Sequence, residues 1–380
     1  MDRTWAQGAA KKLIEKMQVV TARSKEKIPY RTQDGVFDDC SDDAHIGWWT
    51  NGFWGGEMWQ LYHLTGEEMY REAALLVEEK LDAVLLRYQD MDHDSGFRYL
   101  PTAVAHWRVD HNEASKNRGL LAAANLAGRF NLQGQFIRAW NDFGNIDRRG
   151  FAIIDCMMNL PLLYWASEVT EDPRFEMIAR AHANTCKKAF LREDGSAHHI
   201  VNFDIATGDM KEAVGGQGYG VGSSWTRGQA WALYGFTLSY LHGKDPEYLA
   251  AAKASADYFI SCIPESGPIP VDFRQPRDVT WEDSTAAAIA ACGLIELYRC
   301  LIKDAGEGWT PDAEKYLSAA MKLLRTLDEQ RCIWGTESDA LLTKCTAAYH
   351  DAEHEFTIIY GDYFFIEAIM KLLEKELFIW

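Results

Sequence analysis

The sequence predicts an all-helical protein, a toroid of helical hairpins with its polar loops gathered at one mouth. Three observations carry this. Apolar residues recur at helical spacing along most of the chain, convincing alternating strands are scarce, and the segments between helices share one character, rich in Gly, Asp, Trp and His. The spacing predicts helices over Glu67 to Tyr88, Phe151 to Val169, Pro173 to Phe190, Gly228 to Leu241, Pro246 to Ile263, Ser284 to Ile302, Pro311 to Leu327 and Tyr360 to Leu377. Asp172-Pro173, Asp245-Pro246 and Thr310-Pro311 each place a capping residue before a Pro suited to a first helical turn. Short extended pieces are expected near His198 to Phe203 and Ile269 to Phe273.

The linkers are Trp48 to Gly56, Asp90 to Phe97, Trp140 to Gly150, Asp194 to Arg227 and Pro264 to Asp283. Helices are expected to begin directly after them, at Gly52, Asp155, Arg227, Ser284 and Asp362. No Pro/Ser-rich linker or shift in composition divides the 380 residues, so residues 1–380 are read as one domain of about a dozen helices. No exact repeat is visible, which separates this helical barrel from a regular solenoid.

Composition narrows the function. The formal net charge of −17, with no Lys/Arg run to offset it, repels nucleic acid. An anionic small substrate would need cations inside its site. The 14 Trp, 16 Tyr and 17 Phe often sit beside Gly, Asp or Arg, as stacking platforms do, although a large core also holds many aromatics. Eight cysteines occur without a C-x-x-C pair. They read as reduced core thiols rather than metal knuckles. The N-terminus lacks an apolar signal region, and no stretch approaches the roughly 20 apolar residues of a membrane span. A cytoplasmic protein that does not bind membranes is expected.

Three constellations could carry chemistry. The first is Asp90-Met91-Asp92-His93-Asp94-Ser95-Gly96-Phe97, three carboxylates and a His in one loop. Like charges so close push at least one pKa up, while the plainer reading is a solvated acidic loop. The EF-hand spacing is absent. In the second, Asp155 stands alone in the apolar run Phe151-Ala152-Ile153-Ile154-Asp155-Cys156-Met157-Met158. It reads either as a helix cap or as an acid whose burial raises its pKa for proton transfer near neutral pH. The third, Ser223 to Trp231, follows the Gly-rich run from Gly215 to Gly220 and sets Arg227 beside Trp225 and Trp231. A fixed guanidinium with aromatic neighbours suits a sugar carboxylate. The glycines lack the Gly-Lys-Ser/Thr of a phosphate loop, and neither a His-Glu-x-x-His zinc motif nor a Gly-x-Ser-x-Gly elbow occurs.

Six segments together resemble the unsaturated glucuronyl hydrolases, family 88 of the glycoside hydrolases. They are Trp-Thr-Asn-Gly-Phe-Trp from 49, Asp-His-Asp-Ser-Gly-Phe from 92, Ile-Asp-Cys-Met-Met-Asn-Leu-Pro from 154, Trp-Thr-Arg-Gly-Gln-Ala-Trp from 225, Asp-Ser-Thr-Ala from 283 and Tyr-Gly-Asp-Tyr-Phe-Phe from 360. The resemblance implies an (α/α)6 barrel of six helical hairpins. It implies release of 4,5-unsaturated uronic acid from lyase-generated oligosaccharides by hydration of the C4=C5 vinyl ether, with no metal or cofactor. Asp155 would then be the proton donor and water activator, and Asp94 the supporting carboxylate. Trp49, His93, Trp140, His199, Gln217, Arg227 and Trp231 would line the uronate subsite. Two departures are expected to reshape the leaving-sugar side. Val271 stands where the family often has Trp, and Lys344 and Thr346 are weak stand-ins for sulfate-binding groups. An unsaturated rhamnogalacturonyl hydrolase, an inverting glycosidase on the same barrel and a non-catalytic oligosaccharide-binding protein are the competing readings.

Overall fold

The computed structural model describes residues 3–142, 146–306 and 311–380. Among the described residues twelve helices form six antiparallel hairpins arranged as two concentric rings. The inner helices are Phe53–Thr65, residues 95–110, Leu160–Thr170, Thr226–Gly243, Ser284–Asp304 and Ile359–Leu373. Each packs against the next, and the last returns to the first, so the ring closes. The outer helices are Arg3–Ser24, Glu68–Leu85, Glu113–Gly128, Arg174–Ala189, Pro246–Cys262 and Pro311–Gln330.

Sequence explains which helix takes which ring. Pro311–Gln330 carries one apolar stripe, Ala313, Tyr316, Leu317, Ala320, Leu323, Leu324 and Leu327, and leaves its other face to solvent. Ser284–Asp304 is buried nearly all round from Ser284 to Leu297. That inner helix has the length and hydropathy of a membrane span, contrary to the expectation above, and it spends them in the barrel interior.

The rings are joined differently at their two ends. Among the described residues, four inner helices lead into the following outer helices through tight turns. Gly66, His111, Glu171 and Lys244 take positive φ there, and Glu374 does so where the last inner helix ends, all between 50° and 73°. This left-handed residue ends the inner helix by the usual αL closure. Five unrelated side chain contexts thus share one backbone device, a repeat that letter-by-letter comparison misses. Capping follows at the expected places. Asp245 accepts from Glu247 N at 2.9 Å and Asp172 from Arg174 N at 3.0 Å. The expected cap at Thr310 lies outside the described residues.

At the opposite end long loops precede each inner helix and form the mouth. They contain the barrel's only named strands among the described residues, including the antiparallel sheet Phe151–Ile153, Ile200–Phe203 and Met210–Val214. The expected extended pieces are present at Ile200–Phe203 and as bridges at Pro270 and Asp272. The expected helix over Phe151 to Val169 is corrected. Residues Phe151–Ile153 are a strand, Ile154–Met158 a 3-10 turn, and the α-helix begins at Leu160. A short apolar run fits a buried strand as well as a helix, and here pairing with Ile200–Phe203 decides. Asp155 accordingly caps no α-helix.

The inner helix after the acidic loop contains Pro101. A wide π turn at Leu100–Val104 accommodates the missing N–H and lets the helix continue to Asp110.

Candidate active site

Asp94 and Asp155 come from different loops and meet at the mouth of the inner ring. Asp94 immediately precedes the helix starting at Ser95, and Asp155 sits in the 3-10 turn before Leu160. Asn159 ties the two segments. Its Oδ1 accepts from Phe97 N at 2.8 Å, and its Nδ2 lies 3.3 Å from Asp94 Oδ1 and 3.3 Å from the Asp155 carbonyl. The approach needs a glycine. A Cβ on Gly96 would sit 2.6 Å from the Asn159 Cα.

Both acids are raised. Burial pushes Asp155 up to about 7, opposed by the Arg227 charge. Burial, then the neighbouring Asp92 and Asp155 carboxylates, push Asp94 well above the usual carboxylate range. Two carboxyls in one desolvated site cannot both ionise cheaply, so the pair retains a proton near neutral pH. Asp92 differs from its neighbour Asp94. Burial opposes its ionisation, yet Arg98, donating at 2.6 Å, with the Arg129 charge, keeps it low.

The histidines are neutral. Burial depresses His93 to about 4 and His199 to about 3. His93 Nε2 lies 3.4 Å from Asp94 Oδ2, and His199 Nε2 3.7 Å from Asp155 Oδ1. Gln217 N donates to His199 Nδ1 at 2.9 Å, which leaves the ring proton on Nε2, toward Asp155. Asp155 Oδ1 is buried and has no hydrogen-bond partner. Gln217 is itself held by its side chain on the Ala347 carbonyl at 3.0 Å.

Arg227 occupies a more constrained place than the sequence suggests. Its Nη1 donates to Asp283 Oδ2 at 2.8 Å and to the Thr346 carbonyl at 2.6 Å, and Nη2 donates to the Ala347 carbonyl. The guanidinium lies 4.4 Å from the Trp225 ring centroid and 5.3 Å from that of Tyr360. With these commitments it acts on Asp155 as a fixed charge. Trp49 packs on Tyr360 and Phe97 with one face half-buried, and Trp140 stands edge-on to His93. Trp231, expected on the subsite wall, is fully buried between Phe97 and Phe364 and belongs to the barrel core.

The two expected departures also land differently. Val271 is fully buried, with its N–H on the Trp281 carbonyl and its carbonyl on Thr226, so it forms no wall toward a sugar. Thr346 donates to the Glu282 carbonyl at 2.7 Å, and Lys344 is paired with Glu355 at 2.6 Å. Asn159 and the Arg98–Asp92 pair were not singled out by sequence. Their partners are distant in the chain or hidden in the loop's own geometry.

A closed ring of six hairpins with paired acids at the loop end is the scaffold of an (α/α)6-barrel glycoside hydrolase. The comparisons agree. The chain is 34% identical over 367 residues to the unsaturated glucuronyl hydrolase of Bacillus sp. strain GL1, covering 93% of this chain and 94% of that protein. It is 33% identical to the unsaturated chondroitin disaccharide hydrolase of Streptococcus pyogenes serotype M1, covering 85% and 80%. The crystal structure of unsaturated glucuronyl hydrolase from Streptococcus agalactiae superposes with a TM-score of 0.88 at 28% identity, covering 100% of this chain and 94% of that one. A variant of that enzyme complexed with dGlcA-GalNAc6S gives a TM-score of 0.81 at 27% identity, with the same coverage. No protein-family sequence model matches the chain. The chain belongs to the unsaturated glucuronyl hydrolases.

Proposed function

We propose that this glycoside hydrolase releases 4,5-unsaturated uronic acid with Asp155 as proton donor and Asp94 as its supporting carboxylate. Asp155 delivers its proton to C4 of the C4=C5 bond. Positive charge develops at C5 and the ring oxygen, where the Asp94 carboxylate stabilises it. The Asp155 carboxylate then takes a proton from a water that adds at C5. The resulting hemiketal opens, and the hemiacetal left at C1 collapses to free the remaining sugar. Atoms balance with one water consumed.

One observation carries the assignment. Both acids are raised, Asp155 to about 7 and Asp94 well above the usual carboxylate range, but Asp155 Oδ1 has no hydrogen-bond donor to favour its charged form, whereas Asp94 accepts from Asn159. A carboxyl that protonates an enol-ether carbon must hold its proton near working pH. Neutral His199 and His93 add no competing acid.

The leaving sugar is read as unsulfated. Lys344 and Thr346, the weak stand-ins for sulfate-binding groups, are committed to Glu355 and the Glu282 carbonyl. Charge −17 supports a small-molecule substrate and no nucleic-acid partner. The eight free cysteines support a cytoplasmic setting.

The test is turnover of unsaturated chondroitin, hyaluronan and rhamnogalacturonan disaccharides, followed by loss of the double-bond absorbance. Consumption of the glycosaminoglycan units, abolished in Asp155→Asn with binding retained, is expected. Binding of all three without turnover by the wild-type protein would overturn the proposal, and preference for the rhamnogalacturonan unit would move the substrate to pectin.

A further inference from the structure

We infer that Asn159 is the positioning residue that decides which of the two catalytic acids holds the shared proton. The inference rests on the roles of Asp155 and Asp94 proposed above and explains what makes them unequal.

Asn159 is fully buried, so it cannot touch a sugar. It stands where a helix N-cap stands, yet its side chain makes no cap bond to the helix it precedes. Its polar atoms are spent elsewhere. The Phe97 N–H points at the side-chain oxygen at 2.8 Å and can only donate, so that atom must be Oδ1. The amide is thereby oriented by the backbone of the Asp94 helix. Nδ2 is forced to face Asp94 Oδ1 at 3.3 Å, with the Asp155 carbonyl also at 3.3 Å. An N–H donor favours the ionised form of the carboxyl it meets. Asp94 receives this donor and Asp155 Oδ1 receives none.

The other groups around the pair do not supply this asymmetry. Asp94 faces Asp92, which disfavours its charge, and Arg98, which favours it but is already paired with Asp92 at 2.6 Å. His93 is neutral and 3.4 Å away. Asp155 faces the Arg227 charge and neutral His199, and Arg227 by itself would favour ionising Asp155, the wrong acid for the reaction. The Asn159 amide opposes that bias, and Gly96 leaves the room it needs.

In the active form one proton sits on Asp155 and none on Asp94. The acidic limb of kcat/KM then reports protonation of Asp94, and the basic limb loss of the Asp155 proton. Two variants separate positioning from structure. Asn159→Ala removes all three contacts. Asn159→Asp keeps an acceptor for the Phe97 N–H and loses the donor toward Asp94. Both are expected to lower kcat at least about tenfold, leave KM within about twofold, and move the acidic limb up by about one pH unit, the tenfold change one charge-assisted hydrogen bond supports. The Asp variant should move it further than the Ala variant. A profile that superimposes on the wild type in both variants, with only a lower melting temperature, would overturn the inference. Asp155→Asn is assayed alongside. If it retains turnover, the roles of the acids themselves fail, independently of Asn159.

Discussion

Arg227 and Asp283 form a closed ion pair at 2.8 Å, 56 residues apart, with side chains only 1% and 0% exposed. Asp283 also caps its own helix by accepting from Thr285 N at 3.1 Å. Asp283→Asn keeps a competent cap but leaves the buried guanidinium without its carboxylate. Breaking a buried pair from one side costs about 3–5 kcal/mol. A matching drop in stability by chemical denaturation is expected. The less compensated Arg227 charge should also favour ionised Asp155, moving the basic limb of the pH–rate profile downward.

Asp155 should destabilise the fold above its unfolded pKa. Its folded value is about 7 against an unfolded value of about 4. Between these the native state binds more protons, so stability falls as pH rises, by up to about 4 kcal/mol once both states are ionised. Asp155→Asn removes this penalty. Its melting temperature should match the wild type near pH 4 and exceed it at pH 8. Equal differences at both pH values would show that the carboxyl is not raised.

His199 depends on a glycine. Gly216 has φ +58°, and a Cβ there would lie 2.0 Å from His199 Nδ1. Gly216→Ala must displace the ring, the loop or both. Misplacement of an active-site group by about 1 Å costs on the order of 100-fold in rate. A loss of that order in kcat is expected, with the melting temperature lowered only modestly because the loop lies outside the barrel core. Wild-type kinetics in Gly216→Ala would remove His199 from the mechanism.

Commitment of Lys344 and Thr346 to protein partners predicts that a sulfate on the leaving sugar brings no gain in kcat/KM. A single charge-assisted bond to a sulfate would be worth about 1.5–3 kcal/mol, roughly tenfold or more in kcat/KM in favour of the sulfated unit. Paired assays of sulfated and unsulfated unsaturated chondroitin disaccharides check this. A kcat/KM tenfold or more higher for the sulfated unit would show that sulfate is recognised elsewhere.

The ring architecture was legible because it is written in local pattern. Pro311–Gln330 and Ser284–Asp304 are legible as helices from their spacing, while the ring each takes follows from its burial in the fold. The strand at Phe151–Ile153 was not legible, since its pairing partner begins at Ile200 and an apolar run has no period to distinguish it. The same distance hides Asn159 from Asp94, 65 residues away, and the Arg227 guanidinium from Asp283. Trp231 shows the converse. Its helical spacing from Arg227 is real, but burial sends its ring into the core.

The central claim is that Asp155 protonates a carbon–carbon double bond rather than assisting attack at the anomeric carbon. Wild-type protein assayed on an unsaturated disaccharide and on its saturated counterpart measures this directly, with double-bond absorbance and released reducing sugar read together. The account predicts that the unsaturated substrate alone is cleaved, loss of the double bond accompanying each sugar released. Cleavage of the saturated counterpart, with the unsaturated one left intact, would contradict it.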